Sequence, residues 1–282
     1  MKRILLAGAT GYLGSFILKE LEKHEYINKV IVRDKKRLTK FDPLKTKIRQ
    51  AAVTRPETLQ NVCDGIDVII STVGITNQKD GLTYIDVDFN ANLNLLNEAK
   101  KSGVKKFIYV SVLNGENLKH LKICEAKEKF VKELLSSGLD YCIIRPNGFF
   151  SDMTEFYNLA KKGRIYLFGN GELKANPIHG EDLAEICVNC IETKDKEIKA
   201  GGPEILTQNE IAETAFRALN KKSKITYIPS WVGKFILKIM RIFISSKIYG
   251  PIEFFMTVMA MDMVAPKYGN HTLKEYFENL NK

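Results

Sequence analysis

This sequence lacks a cysteine framework, an internal repeat, a long linker and any convincing membrane span. The one candidate span, residues 231–244, is too short and too often interrupted by charge to cross a bilayer. Without repeats or linkers, a chain of 282 residues is expected to be one large α/β domain or one domain with a smaller lobe attached. The five cysteines, Cys63, Cys124, Cys142, Cys187 and Cys190, are odd in number and scattered through apolar segments, which suits reduced thiols better than disulfides. Cys187 and Cys190 form a C-x-x-C inside the helix-like run DLAEICVNCIE, with no second pair and no nearby histidine. A four-ligand structural metal site is therefore not expected. Met1, Lys2 and Arg3 lead directly into an apolar run, with no cleavable leader between, so the expected location is cytoplasmic.

Acid is scarce in two places, although the hydrophobic share of 45% and charged share of 27% are ordinary for a globular protein. The net charge is +10. Residues 33–49 hold Arg33, Lys35, Lys36, Arg37, Lys40, Lys45, Lys47 and Arg49 against only Asp34 and Asp42, and residues 214–252 contain no acid at all. Neither cluster shows the interleaved aromatics that stack single-stranded nucleic acid, so no nucleic-acid partner is expected.

What is present begins at residues 2–19, KRILLAGATGYLGSFILK. An apolar run feeds a glycine-rich turn that opens directly into an amphipathic segment. Glycine suits this turn because the backbone must bend sharply, approach phosphates closely and let the helix lie on its strand. The helix start then offers N–H groups and a positive dipole end to a pyrophosphate. The spacing is Gly-x-x-Gly-x-x-Gly rather than Gly-x-Gly-x-x-Gly, so a glycine-rich structural turn is the alternative, but the strand–turn–helix context favours dinucleotide binding.

Short β-branched runs alternate with helical periods through the first half: VIVRD (30–34), KIRQAAV (47–53), DVIISTVG (67–74), FIYVSV (107–112) and YCIIRP (141–146), with helices predicted at 56–63, 84–102 and 125–136. That alternation is the mark of βαβ crossovers and a doubly wound parallel sheet, the Rossmann fold. Gly103 and Gly138 stand where helix C-caps are expected. The predicted division is a dinucleotide-binding core over 1–150 and a small C-terminal substrate lobe over 151–282, interleaved with the core. In the lobe, Thr207 is a predicted N-cap. Residues 231–244, WVGKFILKIMRIFI, place Lys234, Lys238 and Arg241 on one basic stripe of an otherwise apolar helix. Such a helix either covers a pocket or subunit contact, or lies on an anionic membrane surface; the oligomeric state is left open.

With GATGYLG at the start, ISTVG after the fourth strand, FIYVS at the fifth and IIRPNGFF after the sixth, the chain resembles the atypical and extended short-chain dehydrogenase/reductases. The likeness covers about residues 1–220 and is nearest to the NmrA-like, isoflavone-reductase-like and divinyl-chlorophyllide-reductase-like branch. The resemblance implies that Gly8, Thr10, Gly11, Tyr12, Leu13 and Gly14 form the pyrophosphate loop. It implies that Thr72, Val73 and Gly74 line the nicotinamide ribose, with Pro146 and Asn147 folding over the ring. Arg33 stands where an arginine accepts a ribose 2′-phosphate, with Asp34 immediately after it. Arg33, Lys35 and Arg37 together favour NADP over NAD, the alternative being a solvated basic loop. Where the family places an aspartate near the adenine, this sequence has Val53 and Thr54.

The resemblance also implies a catalytic Tyr four residues before a Lys. Here Lys127 is retained but Ile123 stands in the Tyr position, removing a general acid–base group worth roughly 10²–10⁴-fold in rate. Lys127 is then either the group that grips the ribose and supplies the proton, as in branches that reduce carbon–carbon double bonds, or a surface lysine. Ser111 is the candidate polarising hydroxyl, with Asn114 the weaker choice. Gln78, Lys79, Asp80 and Phe149 are candidate substrate contacts, His179 is expected to be structural, and Asp182 is expected to cap or orient the helix after it. The implied function is an NAD(P)H-dependent reductase of a small or medium apolar carbonyl or activated C=C substrate. The alternative is a non-catalytic NAD(P)-binding redox sensor or membrane-complex assembly protein, on the models of NmrA-like regulators and the accessory subunit of respiratory complex I with this fold.

Overall fold

A computed structural model describes residues 1–76, 78 and 81–281, with Ser246 described by its backbone alone. The first strand, β1 (Arg3–Ala7), is followed by α1 (Tyr12–Leu21), β2 (Ile27–Val32), β3 (Thr46–Gln50) and β4 (Val68–Ser71). A π-helical turn, Ile85–Ala91, then runs into α2 (Asn92–Lys101), followed by β5 (Lys106–Val110), α3 (Lys122–Leu135) and β6 (Asp140–Pro146). Next come α4 (Phe150–Lys162), β7 (Ile165–Phe168), β8 (Lys174–Ala175), α5 (Gly180–Asn189) and β9 (Glu197–Ala200). The chain closes with β10 (Leu206–Thr207), α6 (Gln208–Ala218), β11 (Ile225–Ile228), α7 (Ser230–Phe243), α8 (Ser246–Val258) and α9 (Leu273–Asn279).

Seven strands form one sheet in the order β3-β2-β1-β4-β5-β6-β9. The pairings from β3 through β6 are all parallel, so the expected doubly wound α/β architecture is present. Its apolar core joins Leu5, Ile69, Phe107 and Tyr109 of the strands to Leu95 and Leu96 of α2 and to Phe130 and Leu134 of α3. Strands β4 and β5 are buried along their whole length, which explains why they read as continuous apolar runs. Strand order reverses at β1 and β4, where Ala7 pairs with Ser71. The carboxyl ends of those two strands define the crevice in which such sheets bind ligands.

Local signals fell close to their marks. Gly103 and Gly138 adopt φ of +69° and +80°, the left-handed conformation of a helix C-cap. Thr207 accepts a bond from the Glu210 amide while Glu210 returns one to Thr207, a complete capping box. The helix expected at 56–63 is instead a short 3₁₀ turn, Pro56–Leu59, because Asn61 turns left-handed at φ +60° before an α-helix can propagate. The seventh strand, Glu197–Ala200, lacked a signal because its EIKA sequence carries two charges in four residues.

The chain divides into two compact units, Met1–Arg145 with Leu183–Ile198, and Pro146–Asp182 with Lys199–Lys282. The second has its own core, in which Phe150, Phe156 and Tyr157 of α4 meet Ile211 and Phe216 of α6 and Phe277 of α9. Two small sheets serve it: β7 pairs with β11 in parallel, and β8 with β10 antiparallel. Among the described residues, no helix is long and apolar enough to cross a membrane.

Candidate functional site

The glycine loop is built by close backbone contact. Gly8 has φ +98°, and a Cβ there would lie 2.3 Å from Thr72 Oγ1; both facts demand glycine. A Cβ on Gly14 would lie 2.0 Å from the Gly8 carbonyl oxygen, so α1 can rest on the end of β1 only without a side chain at that position. The Gly11 amide donates to the Gly8 carbonyl at 2.9 Å. Gly11 also precedes α1, and neither a capping side chain nor an acid occupies the first turn. The positive end of the helix is thus not neutralised by the chain, which is what a pyrophosphate requires. Leu13 is buried, Thr10 is half-buried, and Tyr12 stands edge-on to Phe16 at 5.2 Å.

At the end of β2, Arg33, Lys35 and Arg37 are all exposed. Asp34 is exposed as well, and its Oδ1 accepts the Lys36 amide at 3.0 Å as the cap of the turn Lys35–Arg37. The acid at this mixed position is therefore occupied by its own backbone, and the three cations face solvent. The Val53 carbonyl, at the expected adenine position, accepts Asn94 Nδ2 at 3.1 Å.

Beyond β4, the segment Thr72, Val73 and Gly74 is pinned from beneath. Fully buried Asn92 accepts Ser71 Oγ at 2.6 Å and reaches with Nδ2 to the carbonyls of Val73, Val87 and Asp88 at 3.1, 3.3 and 3.0 Å. Here the structure assembles a group that the sequence did not announce. Asp88, wholly buried on the π-helical turn, places Oδ1 3.0 Å from Lys127 Nζ, while its Oδ2 accepts the Ile75 amide at 3.2 Å. The Lys127 Nζ also lies 5.5 Å from the centre of the Tyr109 ring. A Cβ on Gly74, itself exposed, would fall 2.6 Å from Asp88 Oδ1 and 3.0 Å from Lys127 Nζ, so only glycine fits beside the pair.

Electrostatics fix the charge of that lysine. Burial by itself disfavours the Lys127 ammonium, yet its neighbours, the Asp88 carboxylate among them, outweigh it and raise the pKa above the ordinary lysine value. Burial likewise raises the Asp88 carboxyl, against the attraction of Lys127. The Tyr109 phenol, also chiefly through burial, is pushed up to about 12. At neutral pH Lys127 is therefore an ammonium and Tyr109 a neutral phenol.

The candidate hydroxyl is committed elsewhere. Ser111 Oγ donates to Glu128 Oε1 at 3.2 Å, and Glu128 accepts both terminal nitrogens of Arg145 at 2.5 and 3.1 Å. Arg145 also donates to Glu197 at 2.8 Å, which makes this a buried ionic network at the ends of β5 and β6. Its guanidinium pKa is raised, burial being more than offset by Glu128 and Glu197. Asn114 is left-handed at φ +57° and precedes the turn Gly115–Leu118. Ile123, in the place of the expected Tyr, is buried on α3.

Gln78 is half-buried; Lys79 and Asp80 lie outside the described residues. Pro146 ends β6, and Asn147 belongs to the second unit. Its Nδ2 donates to Asn176 Oδ1 at 2.8 Å and to the Met263 carbonyl, and its own amide bonds Ala200. The Asn147 side chain is thus committed to the framework of that unit. Phe149 is half-buried ahead of α4, its amide donating to Asp152 Oδ2 at 2.9 Å. His179 stacks on His271 at 4.3 Å and accepts the Glu181 amide at Nδ1. It is therefore His179, rather than Asp182, that receives an amide at the start of α5. Asp182 instead holds His271, through Nδ1 at 2.7 Å and the backbone amide at 3.2 Å. The ligating atoms of His179, Glu181 and His271 lie within 4.8 Å of one another. Near-parallel rings, however, cannot both direct an in-plane lone pair at one ion, so the trio reads as a packed histidine pair.

Sequence reasoning missed Asp88 and Tyr109. A signal existed for the first: Tyr84, Val87, Asp88 and Ala91 follow i, i+3, i+4, i+7 spacing and all are buried, so an acid occupies a core-facing position. None existed for Tyr109, because every residue of β5 is buried and alternation says nothing there.

Residues 8–194 match the sequence profile of the NAD(P)H-binding family. With that span, the Rossmann sheet and the glycine loop at its switch point, the chain belongs to the NAD(P)H-binding family. It is 27% identical over 318 residues to the chloroplastic divinyl chlorophyllide a 8-vinyl-reductase of Arabidopsis thaliana, spanning 97% of this chain and 75% of that protein. It is 25% identical over 247 residues to the photosystem II assembly factor Ycf39 of Synechocystis sp., spanning 86% of this chain and 75% of that one. Among solved structures, an NADPH-dependent quinone oxidoreductase of Escherichia coli complexed with NADPH aligns with a TM-score of 0.73 over 99% of this chain and 100% of its own, at 18% identity. That likeness speaks for the fold.

Proposed function

We propose that this protein is an NAD(P)H-dependent reductase, with NADPH preferred, acting on a carbonyl or activated C=C of a small or medium apolar substrate. The observation that carries the reading is Lys127: a cation held by buried Asp88, 13% exposed along its side chain, with Gly74, beyond the end of β4, lying too close to the pair to carry a side chain. The bound dinucleotide supplies the hydride. Gly8, Gly11 and Gly14 with the start of α1 would hold its pyrophosphate, and Arg33, Lys35 and Arg37 a 2′-phosphate. Thr72, Val73 and Gly74 would lie along the ribose beside Lys127.

Because its pKa is raised, Lys127 serves as a preorganised positive charge rather than as an acid poised near neutrality. It would orient the ribose and stabilise negative charge developing on the substrate oxygen or enolate, the kind of term that dominates when water is excluded. Tyr109, protonated and wholly buried, would keep the ground beneath Lys127 dry. The likeness to a vinyl reductase supports an activated C=C substrate.

A second reading, an NAD(P)H-binding protein without turnover that acts in assembly or redox sensing, is favoured by one feature: Ser111 and Lys127 are both engaged by buried carboxylates. The likeness to an assembly factor supports it too. NADPH binding followed by fluorescence, then NADPH oxidation against enones, quinones and aldehydes, separates the two. Turnover that falls in Lys127→Ala supports the reductase; tight binding with no turnover above that variant overturns it.

A further inference from the structure

The sole tryptophan of the chain, Trp231, stands at the start of α7 with 68% of its surface exposed. The helix has three faces. Gly233 packs inward, where a Cβ would meet Met256 and Phe168 at 3.1 Å each, and Leu237 and Met240 follow it on that side, half-buried. Trp231, Phe235, Ile239 and Ile242, spaced four, four and three apart, form a single stripe, and all four are exposed. Between these two faces run Lys234, Lys238 and Arg241. On α8, Ile248, Ile252 and Phe255 repeat the four-and-three spacing and are exposed as well.

Exposed large apolar side chains grouped on helix faces in this way mark a contact, and charge identifies its chemistry. Residues 214–252 contain no Asp or Glu. The next acid, Glu253, is buried and paired with Arg241, so no exposed carboxylate interrupts either helix. An isologous contact with a second copy would set this basic stripe against itself. An anionic lipid surface satisfies both features: the cations meet headgroups, and the apolar stripe enters the acyl boundary with an aromatic at its end. We infer that the α7–α8 face docks the protein on an anionic bilayer surface without crossing it. This goes beyond the reductase reading and does not depend on it.

Trp231 makes the test direct. Phosphatidylcholine vesicles containing phosphatidylglycerol should shift its emission to the blue and carry the full-length protein on flotation. Pure phosphatidylcholine should do neither, and added salt should reverse the effect. The double variant Lys234→Gln, Lys238→Gln should weaken partitioning about thirtyfold, about fivefold per cation, and Phe235→Ser with Ile242→Ser should abolish it. Arg241 is left alone because Glu253 needs it. Far-UV circular dichroism and NADPH affinity, both expected to match the unaltered protein, show that each variant is folded and report separately on the cofactor reading. No flotation with anionic vesicles, or flotation unaltered in both variants, overturns the inference. So does a dimer that dissociates in the Phe235→Ser, Ile242→Ser variant without any vesicle binding, an outcome that assigns the stripe to a second copy.

Discussion

Replacing Asp88 by Asn keeps the shape of the side chain and removes its charge beneath Lys127. Asp88 is wholly buried and the Lys127 side chain is 13% exposed, so the variant leaves an ammonium with no counter-ion in a poorly solvated place. Uncoupling a buried pair in this way costs about 3–5 kcal/mol. Changing Lys127 to Met leaves Asp88 instead, which sheds its own charge more easily because burial already raises its pKa; its cost should sit at or below the low end of that range. The double variant removes both charges together, and its loss should fall short of the sum of the singles by about 1–3 kcal/mol. Urea unfolding followed by circular dichroism measures all four proteins, with an unchanged slope confirming that only stability has moved. Losses that add to within about 0.5 kcal/mol would refute the coupling, and with it the account of how Lys127 is held charged.

Three further outcomes can be checked. Gly14→Ala drives a Cβ to 2.0 Å from the Gly8 carbonyl, backbone against backbone; NADPH binding by fluorescence titration should be lost while the far-UV spectrum persists. Arg33→Ala with Lys35→Ala should weaken NADPH binding roughly tenfold or more, the scale of lost charge-assisted hydrogen bonds, and leave NADH binding unchanged; equal losses for both would remove the 2′-phosphate assignment. The pKa of Glu210 is lowered, first by the Thr207 amide and then by its hydroxyl. Its stabilising contribution is therefore present above the unfolded pKa and is lost as pH falls through the folded one. The stability difference between the unaltered protein and Glu210→Gln should be greatest near neutrality and vanish on acidification, as read from unfolding midpoints across pH.

The local grammar of the chain was legible because its causes lie within a few residues. Gly8 and Gly14 announce a tight turn under a helix, Gly103 and Gly138 end helices, Thr207 with Glu210 begins one, and the alternation of apolar runs with helical periods dictates a parallel sheet. Even the basic stripe of α7 could be read from positions 234, 238 and 241. What could not be read was who meets whom across a crossover. Asp88 and Lys127 come from separate helical segments on either side of β5, and Tyr109 reaches them from a strand buried on both faces; no spacing links the three. Ser111 looked like a free hydroxyl until Glu128 and Arg145 closed around it. The exposure of Trp231, Phe235 and Ile242 was undetermined for the same reason, since periodicity groups side chains onto a face but cannot say whether another element covers it. Backbone propensity acts over one turn, whereas burial, ion pairing and pKa depend on the order in which strands are laid side by side.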